Sequence, residues 1–120
     1  MEMIAASQAL GALGHTTRLM IYRLLVQAGP NGMLAGDIGA DLVIPGGTLT
    51  FHLKELVRTG LISAEAKGRT MRYRADYEVM SGLLNYLTEN CCAATAARQQ
   101  LNSVRQPAAA ATPETECSNE

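Results

Sequence analysis

The sequence is short of aromatic residues and of histidine. Its 120 residues include no tryptophan, one phenylalanine, four tyrosines and two histidines. No pair of carboxylates and no Cys–His arrangement stands out, so an enzymatic function is not expected. With so few aromatic side chains to fill a core, a domain of this size often gains buried area by forming a dimer. We therefore expect a non-enzymatic, dimeric protein.

Long apolar runs and a secretion signal are also missing. No run approaches the roughly 18 apolar residues that cross a bilayer, and the first residues carry Glu2 but no early lysine or arginine. We therefore predict a cytoplasmic location without membrane contact. Thiols stay reduced there, so the three cysteines do not form a disulfide framework. An odd count with two adjacent members, Cys91 and Cys92, favours metal or redox chemistry.

Charge is unevenly distributed along the chain. The net charge is −1, yet residues 52–74 hold six basic residues against two acidic ones. The tail after Arg105 carries Glu114, Glu116 and Glu120 and no basic residue. A local basic patch matters more for phosphate contact than the overall charge. The alternative is an ordinary solvated hairpin with surface arginines.

Three helices are predicted in the first part of the chain. Residues 3–13 form a short helix, and "TTRLMIYRLLVQAG" forms a second, capped by Thr16 or Thr17 and stopped by Gly29 and Pro30. "MLAGDIGADL" is a third. The expected inward residues are Leu19, Tyr22, Leu25 and Val26 in the second helix and Leu34, Ile38 and Leu42 in the third.

A fourth helix, over residues 46–59, carries two distinct faces. Leu49, Leu53, Leu56 and Val57 face the core, and Gly60 suits a left-handed terminus with Leu61 packing after it. The opposite face includes Phe51, which the spacing places away from the apolar residues. An exposed aromatic residue at this position requires an explanation.

A β-hairpin and a long helix complete the predicted domain. Residues 61–66 and 70–75 form two strands around a turn at Gly68, which gives a basic tip. Residues 77–104 form the final helix, with a stripe for a partner helix. Its members are Met80, Leu84, Leu87, Cys91, Ala94 and Leu101. Residues 1–106 are therefore one domain, and 107–120 are a disordered acidic tail that carries Cys117.

This order of elements predicts a winged helix-turn-helix, mainly α with a β-hairpin wing. The fourth helix has the length to lie in a major groove, and its short side chains allow close approach to bases. Phe51 is expected to contact thymine methyl groups, and the basic residues to meet phosphates. The predicted DNA-binding residues are Gly47, Thr48, Thr50, Phe51, His52, Lys54, Arg58, Lys67, Arg69 and Arg72. For His52, a structural or DNA-proximal role is favoured over metal binding.

At this point the chain resembles the ArsR/SmtB family of metal- and metalloid-responsive repressors. The resemblance covers residues 5–90 and is carried by "LGHTTRLMIYRLL", "GTLTFHLKELVRTGLI" and "KGRTMRYRA". It implies a homodimer, paired through the first and last helices, that leaves its operator when an ion binds. Two sites known in that family are missing: a His-rich zinc site on the last helix and a Cys-x-Cys pair in the third helix.

The cysteines are the remaining candidates for the signal site. Thiolates select soft ions such as trivalent arsenic and antimony, and the resemblance implies the same, since some arsenic-responsive members carry an adjacent pair on the last helix. Adjacent helical residues point about 100° apart, so chelation by Cys91 and Cys92 should distort that turn. Cys117 is a possible third ligand, from the same or the partner chain, and two thiols would suit methylarsenite.

The sequence thus predicts an arsenic-responsive repressor that takes As(III), methylarsenite or Sb(III) as its effector and needs no organic cofactor. Three alternatives stay open. Cys91 alone is also compatible with simple packing. In the second, the thiols form a disulfide or persulfide, with Cys117 the better partner for a bridge. A soft-metal carrier or a protein-docking winged helix would share the scaffold but bind no operator.

Overall fold

The computed structural model describes residues 1–94. Residues Met1–Tyr86 form one compact unit, and the chain from Leu87 onward belongs to a second. The helices are α1 (Met3–Leu13), α2 (Thr16–Ala28), α3 (Ala35–Leu42), α4 (Gly46–Arg58) and α5 (Tyr77–Thr88), and the strands are β1 (Met33–Leu34), β2 (Ile62–Lys67) and β3 (Thr70–Ala75). This order of three helices, a fourth helix and a β-hairpin is the winged helix-turn-helix that the sequence predicts.

Helix α1 begins and packs for simple local reasons. The Glu2 carboxylate accepts hydrogen bonds from the backbone N–H groups of Ile4 and Ala5 at 3.1 and 2.8 Å, which satisfies two donors of the first turn. Its buried residues are all alanines: Ala6, Ala9 and Ala12. Side chains this small let α1 approach its neighbours closely.

Helix α2 is capped by a residue that the sequence did not identify as the cap. His15, rather than Thr16 or Thr17, is the N-cap, and its Nδ1 accepts a hydrogen bond from the Thr17 N–H at 3.1 Å. His15 is therefore the residue at which the chain enters α2. The helix ends at Gly29, whose φ of 82° lies in the left-handed region that favours glycine.

The predicted helix α4 is confirmed with nearly the same bounds, and its end is well defined. Gly60 has a φ of 81°. Its N–H donates to the Val57 carbonyl at 3.0 Å, and the Leu61 N–H donates to the Leu56 carbonyl at 3.1 Å. These two bonds form a Schellman motif, and the buried Leu61 side chain anchors it. The motif fixes where α4 ends and the wing begins.

The sheet has three strands, whereas the sequence predicted two. β2 and β3 pair antiparallel with Lys67 opposite Thr70, so Gly68 and Arg69 form the predicted tight turn. β1 adds to the other edge of β3 through two residue pairs, Met33 with Tyr73 and Leu34 with Arg72. The wing is therefore anchored to the segment that leads into α3.

The core confirms most of the predicted inward residues and corrects several. Tyr22, Leu25, Ile38, Leu49, Leu53, Leu56 and Leu61 are buried as predicted. Leu19, Val26 and Val57 were predicted to be inward but are 44%, 40% and 37% exposed. Ile21 and Leu83 are fully buried instead. The predicted inward stripe on α2 was thus displaced around the helix toward Ile21.

The prediction of a continuous last helix over residues 77–104 is wrong in the part that the structure describes. Helix α5 ends at Thr88, and Asn90 and Cys92 have φ values of 59° and 69°. Such left-handed residues interrupt a right-handed helix, and asparagine is among the residues that tolerate this conformation. Residues 95–104, including Leu101, lie outside the described residues. None of the helices in residues 1–94 combines the length and apolarity needed to cross a bilayer.

Candidate DNA-binding surface and cysteine pair

The outer face of α4 presents the predicted combination of short, aromatic and basic side chains. Phe51 is 58% exposed, which confirms the prediction that this aromatic residue faces solvent. The Thr50 hydroxyl donates to the Gly46 carbonyl at 2.9 Å and so follows the helix rather than projecting from it. Gly47, Thr48, Thr50, Phe51, Lys54 and Arg58 are all exposed. We call this set the outer face.

Arg58, on the outer face, forms an ion pair within its own helix. Its guanidinium donates two hydrogen bonds to Glu55, at 3.3 and 3.0 Å. These bonds lower the pKa of the Glu55 carboxyl and raise that of Arg58. The pair lies on the surface, so water and salt screen it and Arg58 remains available to exchange Glu55 for a phosphate.

His52 lies on the inner side of α4, opposite the outer face. It is only 5% exposed, and its Nδ1 accepts a hydrogen bond from Arg18 Nε at 3.2 Å. Its ring also lies 4.6 Å from the ring centroid of His15. Its inclusion among the DNA-contacting residues is therefore corrected, because a buried side chain in the free protein cannot present itself to a base. The structural role is the one that agrees with its burial.

The protonation of His52 is set by these neighbours. Burial lowers the pKa of His52, and the nearby His15 and Arg18 lower it further because a second positive charge beside them is unfavourable. Since Nδ1 accepts the hydrogen bond from Arg18, the neutral ring carries its proton on Nε2. A proton on Nδ1 would remove that acceptor.

The wing divides into an exposed tip and an anchored base. Lys67 and Arg69 are exposed at the turn, where the φ of Gly68 is 60°. At the base, Arg72 donates to the Asn31 carbonyl at 2.8 Å and Arg74 to the Pro30 carbonyl at 3.0 Å. The tip is therefore better placed than the base for new phosphate contacts.

Glu65 holds the base of the wing in place. Arg74 pairs with the Glu65 carboxylate at 2.7 Å, and that hydrogen bond lowers the pKa of Glu65, with a further contribution from Lys67. Lys67, Arg72, Arg74 and Asn31 surround a depression of about 360 Å³. Arg72 was predicted as a phosphate contact, and its bond to Asn31 orients its guanidinium toward the base of the wing.

Cys91 and Cys92 lie in a turn beyond α5. The Cys91 N–H donates to the Thr88 carbonyl and the Ala93 N–H to the Asn90 carbonyl, both at 3.0 Å. The two sulfur atoms are 3.0 Å apart, longer than the roughly 2.05 Å of a disulfide bond. A regular helix would point these side chains about 100° apart, so it is the left-handed turn that brings the sulfurs together.

The third predicted ligand, Cys117, lies outside the described residues. Within residues 1–94, no group of three His, Cys, Asp or Glu side chains is arranged to hold a metal ion. The described part of the candidate site is therefore a two-sulfur pair. Neither His15 nor His52 lies in such a group.

Comparison with known proteins gives the same fold. Residues 13–63 match the family described as a helix-turn-helix domain. The chain is similar to an ArsR-like transcriptional regulator from Rhodococcus sp. RHA1, with 22% identity, a TM-score of 0.68, and coverage of 88% of this chain and 96% of that one. HlyU from Vibrio cholerae N16961 is 26% identical, with a TM-score of 0.58 and coverage of 74% and 94%.

HlyU from Vibrio vulnificus CMCP6 is 25% identical, with a TM-score of 0.54 and coverage of 72% of this chain and 88% of that one. No curated protein sequence matches the chain. The fold and the domain match define a winged helix-turn-helix protein. Together with the two HlyU structures, they indicate a helix-turn-helix transcriptional regulator.

Proposed function

We propose that this protein is a dimeric repressor that holds operator DNA with the outer face of α4 and the tip of the wing. The observation that carries the proposal is the exposed ring of Phe51 between short side chains and the basic Lys54. An aromatic ring that remains in water costs solvation free energy, and a thymine methyl group would cover it. Lys54, Lys67 and Arg69 would contact phosphates.

The dimer is supported by apolar residues left exposed on α1 and α5. Met3 and Ile4 are 68% and 65% exposed, and Leu84 is 55% exposed. The Tyr86 hydroxyl lies 3.5 Å from the Met3 sulfur, so the two helices are neighbours. A second copy that covers this surface would bury it and place two α4 helices about 34 Å apart, one turn of DNA.

Binding to DNA is tested directly by selection from a random-sequence pool. We expect the wild-type protein to enrich a pseudo-palindromic duplex, because a two-fold dimer reads two half-sites. Phe51→Ala should bind this duplex more weakly while its melting temperature stays near the wild-type value. A protein that enriches no sequence would be a soft-metal carrier or a protein-docking winged helix instead.

The proposed effector is trivalent arsenic, as As(III) or methylarsenite, or Sb(III). Its support is the pair of sulfur atoms 3.0 Å apart. Bonds of about 2.3 Å, as in zinc–thiolate sites, would let one ion reach both of them. Once reduced to thiolates, Cys91 and Cys92 would be soft donors that favour these ions. Cys117 would complete a three-sulfur site from the same or the partner chain.

Release of DNA would follow from a change in this turn. The turn joins α5, which carries part of the proposed dimer surface, so an ion held by Cys91 and Cys92 would alter the pairing of the two subunits. The measurement is fluorescence anisotropy of the labelled duplex, titrated with As(III), methylarsenite, Cd(II) and Zn(II). We expect the arsenic species to release DNA, whereas release by zinc alone would contradict the proposed signal.

A second candidate signal is oxidation of the same thiols, and the short sulfur–sulfur distance favours it equally. Peroxide would convert a thiolate to a sulfenic acid, which condenses with a second thiol to a disulfide and water. Attack of hydrosulfide on the same sulfenic acid, which would give a persulfide and hydroxide, is the related alternative. Mass spectrometry of the reduced protein, treated with peroxide in one sample and with arsenite in another, distinguishes oxidation of the thiols from arsenic binding. DNA release that accompanies a mass loss of two hydrogen atoms, and that is absent with arsenite, would favour the redox signal.

A further inference from the structure

The exposed ring of Phe51 is held by a cluster of side chains at the junction of α2 and α4. Arg18 places its guanidinium carbon 5.8 Å from the centroid of the Phe51 ring, within the range of a cation–π contact. The Phe51 and His52 rings meet edge to face, with centroids 5.4 Å apart and an interplanar angle of 64°. The two contacts restrict the ring from one side.

Arg18 is itself fixed by bonds that lead back into the protein. Its Nε donates a hydrogen bond to His52 Nδ1 at 3.2 Å, and its Nη1 donates one to the Ala12 carbonyl of α1 at 3.4 Å. The Arg18 side chain is partly buried, and the ring of His15 packs against the ring of His52. One side chain of α2 therefore connects the end of α1, the inner side of α4 and the aromatic ring of the outer face.

We infer that Arg18 is a positioning residue for DNA reading, which it performs by holding the Phe51 ring in the orientation that meets a base. The inference rests on the proposed DNA-binding function. An exposed phenylalanine samples several side-chain rotamers, and binding must select one of them. Restriction of the ring before binding lowers that cost, so Arg18 raises affinity for the right sequence without touching it.

A direct phosphate contact is the alternative role for Arg18. Its Nε and Nη1 groups are engaged by His52 and the Ala12 carbonyl, so a phosphate would bind at Nη2. Such a contact would add affinity for any DNA sequence, because phosphates carry no sequence information. The two roles therefore differ in whether Arg18 acts through Phe51.

A double-mutant cycle separates these roles. The proteins are wild type, Arg18→Gln, Phe51→Ala and the double variant, measured by anisotropy on the duplex that wild type selects and on a scrambled duplex. We expect Arg18→Gln to weaken binding to the selected duplex by about five- to tenfold, from one cation–π contact and one hydrogen bond. In the Phe51→Ala background, Arg18→Gln should weaken binding to the selected duplex by less than about twofold, since the effects of coupled residues are not additive.

Two control variants complete the experiment. Arg23→Gln removes the same charge from an exposed position of α2 and should weaken both duplexes equally and only slightly. Arg18→Lys keeps the charge but lacks the planar guanidinium, so it should lose most of the discrimination between the two duplexes. Thermal melting verifies folding, and if Arg18→Gln is unfolded, the cycle is run with Arg18→Lys.

The inference is overturned if Arg18→Gln weakens binding by the same factor with and without Phe51, or has no effect. Full activity of Arg18→Lys would also overturn it, because charge alone would then suffice. Failure of the wild-type protein to select any duplex contradicts the proposed function itself, which is a different result from failure of the cycle.

Discussion

His52 shows how a buried polar side chain supports the proposed DNA-binding surface. The neutral ring accepts a hydrogen bond from Arg18 and packs between His15 and Phe51. Because protonation of Nδ1 would place a donor against a guanidinium, this contact exists only in the neutral form. The stability of the domain should therefore depend on pH near the ordinary range of histidine.

The first prediction concerns that dependence. In the unfolded chain His52 takes up a proton near pH 6.5, whereas its folded pKa is lowered. Between those two values the unfolded state binds more protons, so the free energy of unfolding should fall as the pH drops below about 6.5 and be constant above it. Urea denaturation between pH 8 and pH 5 measures this.

The matched variant is His52→Gln, which retains a side chain able to accept the hydrogen bond from Arg18. Its unfolding free energy should change less over the same pH range, although His15 is still present. A wild-type protein that becomes more stable on acidification through this range would show that His52 is not held in its neutral form.

At the scale of the elements, the end of α4 depends on one glycine. Gly60 has a φ of 81°, and a Cβ built there would lie 3.8 Å from the Val79 side chain, an ordinary contact. A side chain at this position would therefore fit in the available space. The left-handed backbone conformation disfavours it instead, because that conformation costs an L-residue with a side chain about 1–2 kcal/mol.

We therefore predict that Gly60→Ala lowers the free energy of unfolding by about 1 kcal/mol. Gly36→Ala in α3 is the control: Gly36 has no atom within 4 Å of a built Cβ and no positive φ, so alanine should be neutral or stabilising. Chemical denaturation of both variants gives the comparison. Equal effects of the two substitutions would mean that the Schellman motif does not fix the end of α4.

The wing makes a separate prediction through its exposed tip. Each phosphate contact contributes about one unit to the slope of log affinity against log salt. Removal of the charges in Lys67→Gln and Arg69→Gln should each reduce that slope by about one and weaken selected and scrambled duplexes alike. Arg23→Gln is the control. Unchanged slopes in both wing variants would remove the tip from the DNA interface.

The sequence predicts some of the helices and strands from local signals but not others. The α4 helix and the β-hairpin follow from local signals, namely the spacing of Leu49, Leu53 and Leu56 and the turn at Gly68. The two-residue strand β1 has no such signal, since Met33 and Leu34 become a strand only by pairing with β3. Arg18 was missed for a similar reason, because it meets His52 across 34 residues of sequence.

The end of α5 was missed because apolar spacing continues past it. Residues Leu87, Cys91 and Ala94 keep a helical spacing, yet Asn90 adopts a left-handed conformation that interrupts the helix. That interruption changes the interpretation of the cysteines. A continuous helix would separate the two sulfurs, whereas the observed turn brings them within 3.0 Å.

At the scale of the whole molecule, the exposed apolar residues of α1 predict the oligomeric state. Ile4→Glu should shift the protein from dimer to monomer in sedimentation velocity, because it places a charge on the surface proposed to be covered. Val43→Glu is the control, since Val43 is 86% exposed in the turn before α4. A dimer that tolerates Ile4→Glu would place the interface elsewhere.

The proposed signal also implies reciprocity between the two ligands. If arsenic weakens DNA binding by some factor, DNA must weaken arsenic binding by the same factor. In this proposal the coupling would pass through residues 87–94 and the proposed dimer surface, so it would require Cys91 and Cys92 but not the outer face of α4. Loss of these thiols should therefore abolish the response to arsenic and spare the binding of DNA.

The most direct test is the anisotropy of wild type and the Cys91→Ser, Cys92→Ser double variant on the same selected duplex, each titrated with arsenite under reducing conditions. We predict that both proteins bind the duplex with similar affinity and that only the wild type releases it. Release of DNA by the double variant at the wild-type arsenite concentration would contradict the assignment of Cys91 and Cys92 as the signal site.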